Sequence, residues 1–294
     1  MNEKVLVLGS TGLIGHQIYK YLIENSKYTV IDISYRKKFT PDSYIQDARF
    51  EEDFINRIYK IKPKYIINCI GVLIQQSIDN IENAIYLNSY LPHRLARLAD
   101  VMNAKLVHIS TDCVFSGKKG TSYIETDYKD GESNYAKTKS LGEIIDNNHL
   151  TIRTSVLGPE LKKNGEELFN WFMSENDEIF GYTKDIWSGV SSFELAKATC
   201  WFLDKDITGL YHLTNNSSIS KFDILELLNK YTKKEIRINP IDGNNLNKSF
   251  LDTRGLIDYL IPSYDQMIFE MVRQTFNESS IYPHYRINSL DVKK

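Results

Sequence analysis

Residues 5–15 read Val5-Leu6-Val7-Leu8-Gly9-Ser10-Thr11-Gly12-Leu13-Ile14-Gly15. Four consecutive apolar residues with no polar alternation fit a strand buried on both faces. From Leu13 to Ile23 the apolar residues recur at helical spacing, so Gly9, Gly12 and Gly15 fall in a strand-to-helix turn. Small residues there let the backbone turn and approach an anion, and the free amides and positive end of the helix favour a pyrophosphate. The backbone of Gly9, Thr11, Gly12, Leu13, Ile14 and Gly15 is therefore a candidate phosphate cradle. The first glycine interval is one residue longer than in the common dinucleotide pattern, and the plain alternative is a turn that only packs a helix on a strand.

Outward from this turn the alternation repeats. Strands are expected at Tyr28 to Ser34, Tyr65 to Ile70, Lys105 to Ser110 and Leu150 to Leu157. Helices are expected at Asp53 to Ile61, over one long stretch from Ile81 to Met102, and from Tyr135 onward. Val- and Ile-rich strands alternating with helices predict an α/β fold, a doubly wound parallel sheet of Rossmann type. Beyond Pro159 the rhythm changes to a turn and helix at Trp187 to Leu203, a strand at Gly209 to Leu213 and a helix at Phe222 to Tyr231. Residues 1–158 are read as a dinucleotide-binding domain and 159–294 as a smaller α/β substrate-capping region, partly interleaved with the sheet.

The chain has 294 residues, 42% apolar and 25% charged, enough for a full core without disulfides or metal. Its 36 basic against 38 acidic residues leave a formal charge of −2, so no basic field for nucleic acid or anionic membrane is present and a small-molecule partner is favoured. Cys69, Cys113 and Cys200 are widely spaced and no histidine pair stands at ligand spacing, which predicts neither a disulfide framework nor a metal site. No apolar run approaches the ~18 residues of a membrane span, and no leader is evident before the first strand. The expected location is cytoplasmic.

Asp32 near the end of the second strand is placed to bind adenosine ribose hydroxyls as in NAD sites, whereas Arg36, Lys37 and Lys38 just beyond it suit the 2′-phosphate of NADPH. NADPH is slightly preferred and NADH allowed. Asp47 is a candidate for the adenine edge or, equally, a helix cap. Tyr135 and Lys139, four apart on a helix, project from one face. An ammonium near a phenol lowers its pKa from near 10, and a shift of about three units corresponds to ~4 kcal/mol. Such a tyrosine exchanges a proton with a carbonyl oxygen. Thr111 follows the strand ending at Ser110, at the carboxyl edge where ligands gather in such sheets.

These pieces, in this order, resemble the extended short-chain dehydrogenase/reductase superfamily, and more narrowly the dTDP-4-dehydrorhamnose reductase family. The resembling blocks are VLVLGSTGLIG at 5–15, HISTDCVFSG at 108–117, YIETD at 123–127, YAKTKSLGE at 135–143, IRTSVLG at 152–158 and GLYHLTN at 209–215. The resemblance implies NAD(P)H-dependent reduction of the C4 ketone of a nucleotide-linked 4-keto-6-deoxysugar, in the supply of sugars for surface polysaccharide. It implies that Tyr135 protonates the ketone oxygen, that Lys139 holds the nicotinamide ribose and lowers the Tyr135 pKa, and that Thr111 binds the substrate oxygen. The backbone of Cys69, Ile70 and Gly71 would line the cofactor cleft, with Asn88 nearby.

Two departures bear on the substrate. Dehydratases of the superfamily carry Thr-Asp-Glu where this chain has Thr111-Asp112-Cys113, which weakens an elimination reading and leaves Cys113 as a small packing residue. An Arg-Pro pair expected before NKSFLDTRG is Asn245-Leu246 here, and Lys248 replaces only the charge of that arginine. Trp187 is either a substrate wall or core. A UDP-linked amino sugar reductase or epimerase stays open as an alternative, as does a noncatalytic NADP(H)-binding regulatory subunit. A homodimer is compatible with the sequence, which does not define the oligomeric state.

Overall fold

The computed structural model describes residues 2–255 and 259–285. Strands β1 (Lys4–Leu8), β2 (Thr29–Ser34), β3 (Tyr44–Ile45), β4 (Tyr65–Asn68), β5 (Lys105–Thr111), β6 (Leu150–Thr154) and β7 (Gly209–His212) form one sheet in the order β7-β6-β5-β4-β1-β2-β3. Every neighbouring pair is parallel. The order reverses between β1 and β4, which opens a crevice at their carboxyl ends.

The unalternated run in β1 now has its cause. Val5 and Val7 belong to one core with Ile67, Val107 and Ile152, beneath helices α1 (Leu13–Asn25) and α5 (Ser192–Lys205). Leu6 and Leu8 belong to the opposite core with Ile66 and Leu106, beneath α2 (Glu51–Ile61) and α3 (Leu91–Val101). Each such side chain contributes about 1.5–3 kcal/mol by leaving water. Helix α4 (Asn134–Leu141) starts on Ser133, whose hydroxyl accepts the Ala136 amide at 3.1 Å. A third core joins Phe169, Phe172, Ile179 and Leu228 with Met271, from α6 (Lys221–Thr232), α7 (Tyr264–Asn277) and the short helix Leu168–Ser174. Because α5 and β7 return to the sheet from beyond residue 158, the two halves of the chain interlock.

Two expected elements differ. The long helix over 81–102 is broken by a π-helical turn at Ile85–Tyr90 between Ile81–Ala84 and α3. Pro92 lies in the first turn of α3, lacks the amide that would bond the Asn88 carbonyl, and its ring crowds that oxygen, so the turn widens. The strand expected to reach Leu157 stops at Thr154, where the Ser155 carbonyl accepts Val190 and Val156–Leu157 pairs separately with Val190–Ser191. The second strand, expected at Tyr28 to Ser34, spans Thr29–Ser34 and holds Asp32 within it.

Candidate active site

At the crevice Gly9 has φ +83° and packs on the next strand's end, where an added Cβ would lie 3.1 Å from the Cys69 carbonyl. A Cβ on Gly15 would sit 2.2 Å from the Gly9 oxygen, so the strand–helix contact requires glycine there. Gly12 caps α1 with no side-chain bond, which leaves the first helical amides facing the cleft. The turn is anchored from behind. His16 Nδ1 lies 2.7 Å from the Gly12 carbonyl and Nε2 2.7 Å from the Tyr282 hydroxyl. Burial pushes the His16 pKa down to about 4, so the ring is neutral, donating through Nδ1 and accepting from the phenol.

From Gly12, Leu13 and Ile14 a cleft of about 410 Å³ runs past Cys69, Ile70 and Gly71 to Thr111, Tyr135 and Lys139. The three groups expected to act together do line one cavity. The Tyr135 phenol and the Thr111 hydroxyl face this same cavity. Thr111 Oγ1 donates to Asp112 Oδ1 at 3.1 Å and accepts the Cys113 amide at 3.2 Å, which fixes its rotamer. Lys139 is buried and its Nζ donates to the Ile109 carbonyl at 2.7 Å.

The electrostatics differ from the expectation that Lys139 lowers the Tyr135 pKa. Burial, then the neighbouring Cys113, pushes the phenol above its ordinary value despite the Thr111 hydroxyl, so Tyr135 is a protonated donor. Lys139 itself is drawn down to about 8 by burial, opposed by Glu143. Cys113 lines the cleft with its thiol pushed up to about 12 by burial, which suits a packing residue and not a nucleophile.

Several other expected site residues lie elsewhere. Asp32 is buried and bonded to Ser10, so its carboxyl braces the glycine turn from behind and does not face a ribose. Asn88 is fully buried: Oδ1 accepts the Val72 amide at 2.9 Å while Nδ2 donates to the Val72 carbonyl and to Thr138. It clamps the loop after β4 to α4 and does not line the cleft. Trp187 packs in the core against Tyr264 and reaches the site only by donating Nε1 to Ser155 Oγ at 2.7 Å. Lys248 stands behind Cys113, 3.8 Å from its sulfur. Asp47 caps no helix; its carboxylate holds Arg49, which donates from Nη2 at 2.7 Å. Thr11 is outside the cleft lining.

Arg36 was expected from the sequence; Arg49 and the acids Glu160, Glu166 and Glu167 carried no sequence signal of their own. Arg36 and Arg49 both lie against the Tyr35 ring, 4.6 and 5.3 Å from its centroid, beside the end of β2. Glu160, Glu166 and Glu167 form an acidic wall with Lys162 across the cleft from Tyr135. Burial, with Glu160 and Asp112 close by, raises the Glu167 pKa to about 7. These acids come from a loop and short helix with no motif spacing, and only packing of Phe169 and Phe172 brings them in. Among the described residues no group of three or more His, Cys, Asp or Glu is disposed to hold a metal ion.

The model of the RmlD substrate binding domain family matches residues 3–250. The chain is 26% identical over 232 residues to the dTDP-4-dehydrorhamnose reductase of Aggregatibacter actinomycetemcomitans, covering 75% of this chain and 76% of that protein. It is 27% identical over 244 residues to methionine adenosyltransferase 2 subunit beta of Bos taurus, covering 76% and 70%. In shape it matches the crystal structure of dTDP-4-dehydrorhamnose reductase from Bacillus anthracis in complex with NADP, with a TM-score of 0.79 at 21% identity, over 94% of this chain and 100% of that one.

Proposed function

The chain belongs to the RmlD substrate binding domain family, and from that premise we propose that it is a nicotinamide-dependent reductase of the C4 ketone of a nucleotide-linked 4-keto-6-deoxysugar. The observation that carries the reading is the single cleft joining the glycine turn to Thr111, Tyr135 and Lys139. The cofactor fits what is present: amides at the start of α1 that no side chain caps, at the end of the cleft lined by Gly12, Leu13 and Ile14. Gly12, Leu13 and Ile14 would hold its diphosphate, and Cys69 to Gly71 the span toward Lys139. When bound, a reduced nicotinamide supplies the hydride.

The chain's own residues supply the rest. Tyr135 offers its hydroxyl to the ketone oxygen, and Thr111 joins it when its one proton turns from Asp112 to that oxygen, which orients the ketone and stabilises negative charge as it develops there. Tyr135 gives that oxygen its proton. Because burial keeps the phenol protonated, the donor is in the required state at neutral pH, and such proton transfer is worth about 10²–10⁴ in rate. Lys139, fixed by the Ile109 carbonyl, keeps its amine in the cleft, where it would hold the nicotinamide ribose. Arg36 and Arg49, stacked on Tyr35, form a guanidinium pair suited to a 2′-phosphate, which supports NADPH over NADH. The missing Arg-Pro leaves the base open between thymidine and uridine.

Kinship with methionine adenosyltransferase 2 subunit beta favours a second reading, a cofactor-binding subunit without turnover. The retained Thr111, Tyr135 and Lys139 argue for the reductase. Mixing the protein and NADPH with dTDP- and UDP-linked 4-keto sugars tests this: the reductase consumes cofactor with at least one of them. Binding of cofactor with no consumption across the panel would reject it in favour of the subunit.

A further inference from the structure

Helix α4 is stitched to β5 by two adjacent rungs. Lys139 Nζ donates to the Ile109 carbonyl at 2.7 Å, and one turn later Glu143 Oε1 accepts the hydroxyl of Ser110, the next residue of β5, at 2.7 Å. Glu143 is wholly buried and carries a full set of donors. Arg153 of β6 gives it a two-pronged bond, Nε to Oε1 and Nη2 to Oε2, both 2.7 Å, and Lys129 adds Nζ to Oε2 at 3.0 Å. Arg153 in turn lies 2.8 Å from His212 Nε2 on β7. A carboxylate held by a guanidinium, an ammonium and a hydroxyl stays ionised, and the Glu143 pKa is lowered accordingly.

We propose that Glu143 is a positioning residue that holds the Lys139 ammonium, in register and in charge, beneath the end of β5. This rests on the reductase reading of the cleft. The titratable groups around Lys139 are Glu143 just past the end of its helix, Cys69 on the loop after β4 and His108 on β5. Cys69 is held up near 12 and His108 well below its ordinary range, so both are neutral near pH 7. Glu143 is therefore the one anion among these groups, and it opposes the burial that draws Lys139 down to about 8. Lys129 and Arg153 partly neutralise it.

The test is a titration of the cofactor-free protein carrying lysine labelled with carbon-13 at Cε, the Lys139 signal being identified by its loss in Lys139→Arg. The expected midpoint is about 8. In Glu143→Gln it falls by about one unit, a tenfold loss of protonation on the alkaline side, and Glu143→Asp restores most of it. Lys129→Met, a half-exposed site, moves the midpoint the opposite way by about half a unit, so the proposal stays testable if Glu143→Gln leaves Arg153 unpaired and does not fold. In turnover the alkaline limb of kcat shifts with the same sign in each variant. Unchanged midpoints in the folded variants, or a Lys129→Met shift downward, overturn the proposal. Because the titration needs neither cofactor nor substrate, its outcome is independent of whether the cleft is a reductase.

Discussion

On the proposed reading the half-buried Tyr135 phenol gives up a proton to the substrate, since desolvation and the nearby Cys113 and Asp112 disfavour its anion until a developing oxyanion competes for that proton. Tyr135→Phe removes only the hydroxyl and leaves the packing. We expect kcat to fall about 10²–10⁴-fold, with cofactor affinity by fluorescence titration changed less than about threefold. Glu167 gives a second prediction at this scale. Its carboxyl binds protons more tightly in the fold, with a pKa of about 7, than in the unfolded chain near 4.5, so stability present below the unfolded pKa is lost as pH rises through the folded one. Glu167→Gln abolishes this loss. Relative to wild type the variant gains about 1–2 kcal/mol in denaturant midpoints between pH 5 and pH 8, and identical pH dependence in the two proteins would contradict it.

The π-helical turn does what an unbroken helix would not. It turns Asn88 onto Val72 and Thr138, and presents its carbonyl to Gly142, where an added Cβ would lie 1.9 Å away. One residue thereby spaces the loop of the cofactor cleft from the helix bearing Tyr135 and Lys139. Asn88→Ala leaves the Val72 amide and carbonyl without their partner; thermal unfolding should show a loss of about 1–3 kcal/mol, and the Michaelis constant for cofactor should rise. The regular elements were legible because β1, β2, β4, β5 and β6 alternate with helices and Val5 to Leu8 of β1 are all apolar, whereas the two-residue β3 has no helix before it and was not expected. The interruption had one signal, Pro92 inside the expected helix, but only the packed neighbours Gly142 and Thr138 show how the turn opens. Asp32 was misplaced for a similar reason: spacing sets its strand but not which way its carboxyl points, and Ser10 captures it. Thr111, Tyr135 and Lys139 were readable from motif order, whereas Glu160 and Glu167 come from a loop whose path is set by the third core.

At the scale of the whole molecule the chain crosses back on itself to complete the site. α5 and β7 return to the sheet, and Tyr282 from the C-terminal segment locks His16 behind the glycine turn. The glycine turn and the Thr111 and Tyr135 hydroxyls thus lie along one sheet edge, with the Arg36 and Arg49 guanidiniums beside the end of β2. Replacing Arg36 and Arg49 together by alanine should weaken NADPH about 10–100-fold and NADH by less than about threefold, measured as dissociation constants; equal losses for both would remove the assignment of the pair to the 2′-phosphate. Delivery of hydride to a sugar ketone is the central claim, and transfer of label tests it most directly. With NADPH deuterated at its transferable position and a 4-keto-6-deoxysugar nucleotide, mass spectrometry and NMR of the product should find deuterium at C4, with one cofactor oxidised per sugar reduced and both signals abolished in Tyr135→Phe. Cofactor bound but unconsumed, with no deuterium at C4 for any 4-keto nucleotide offered, would contradict the account.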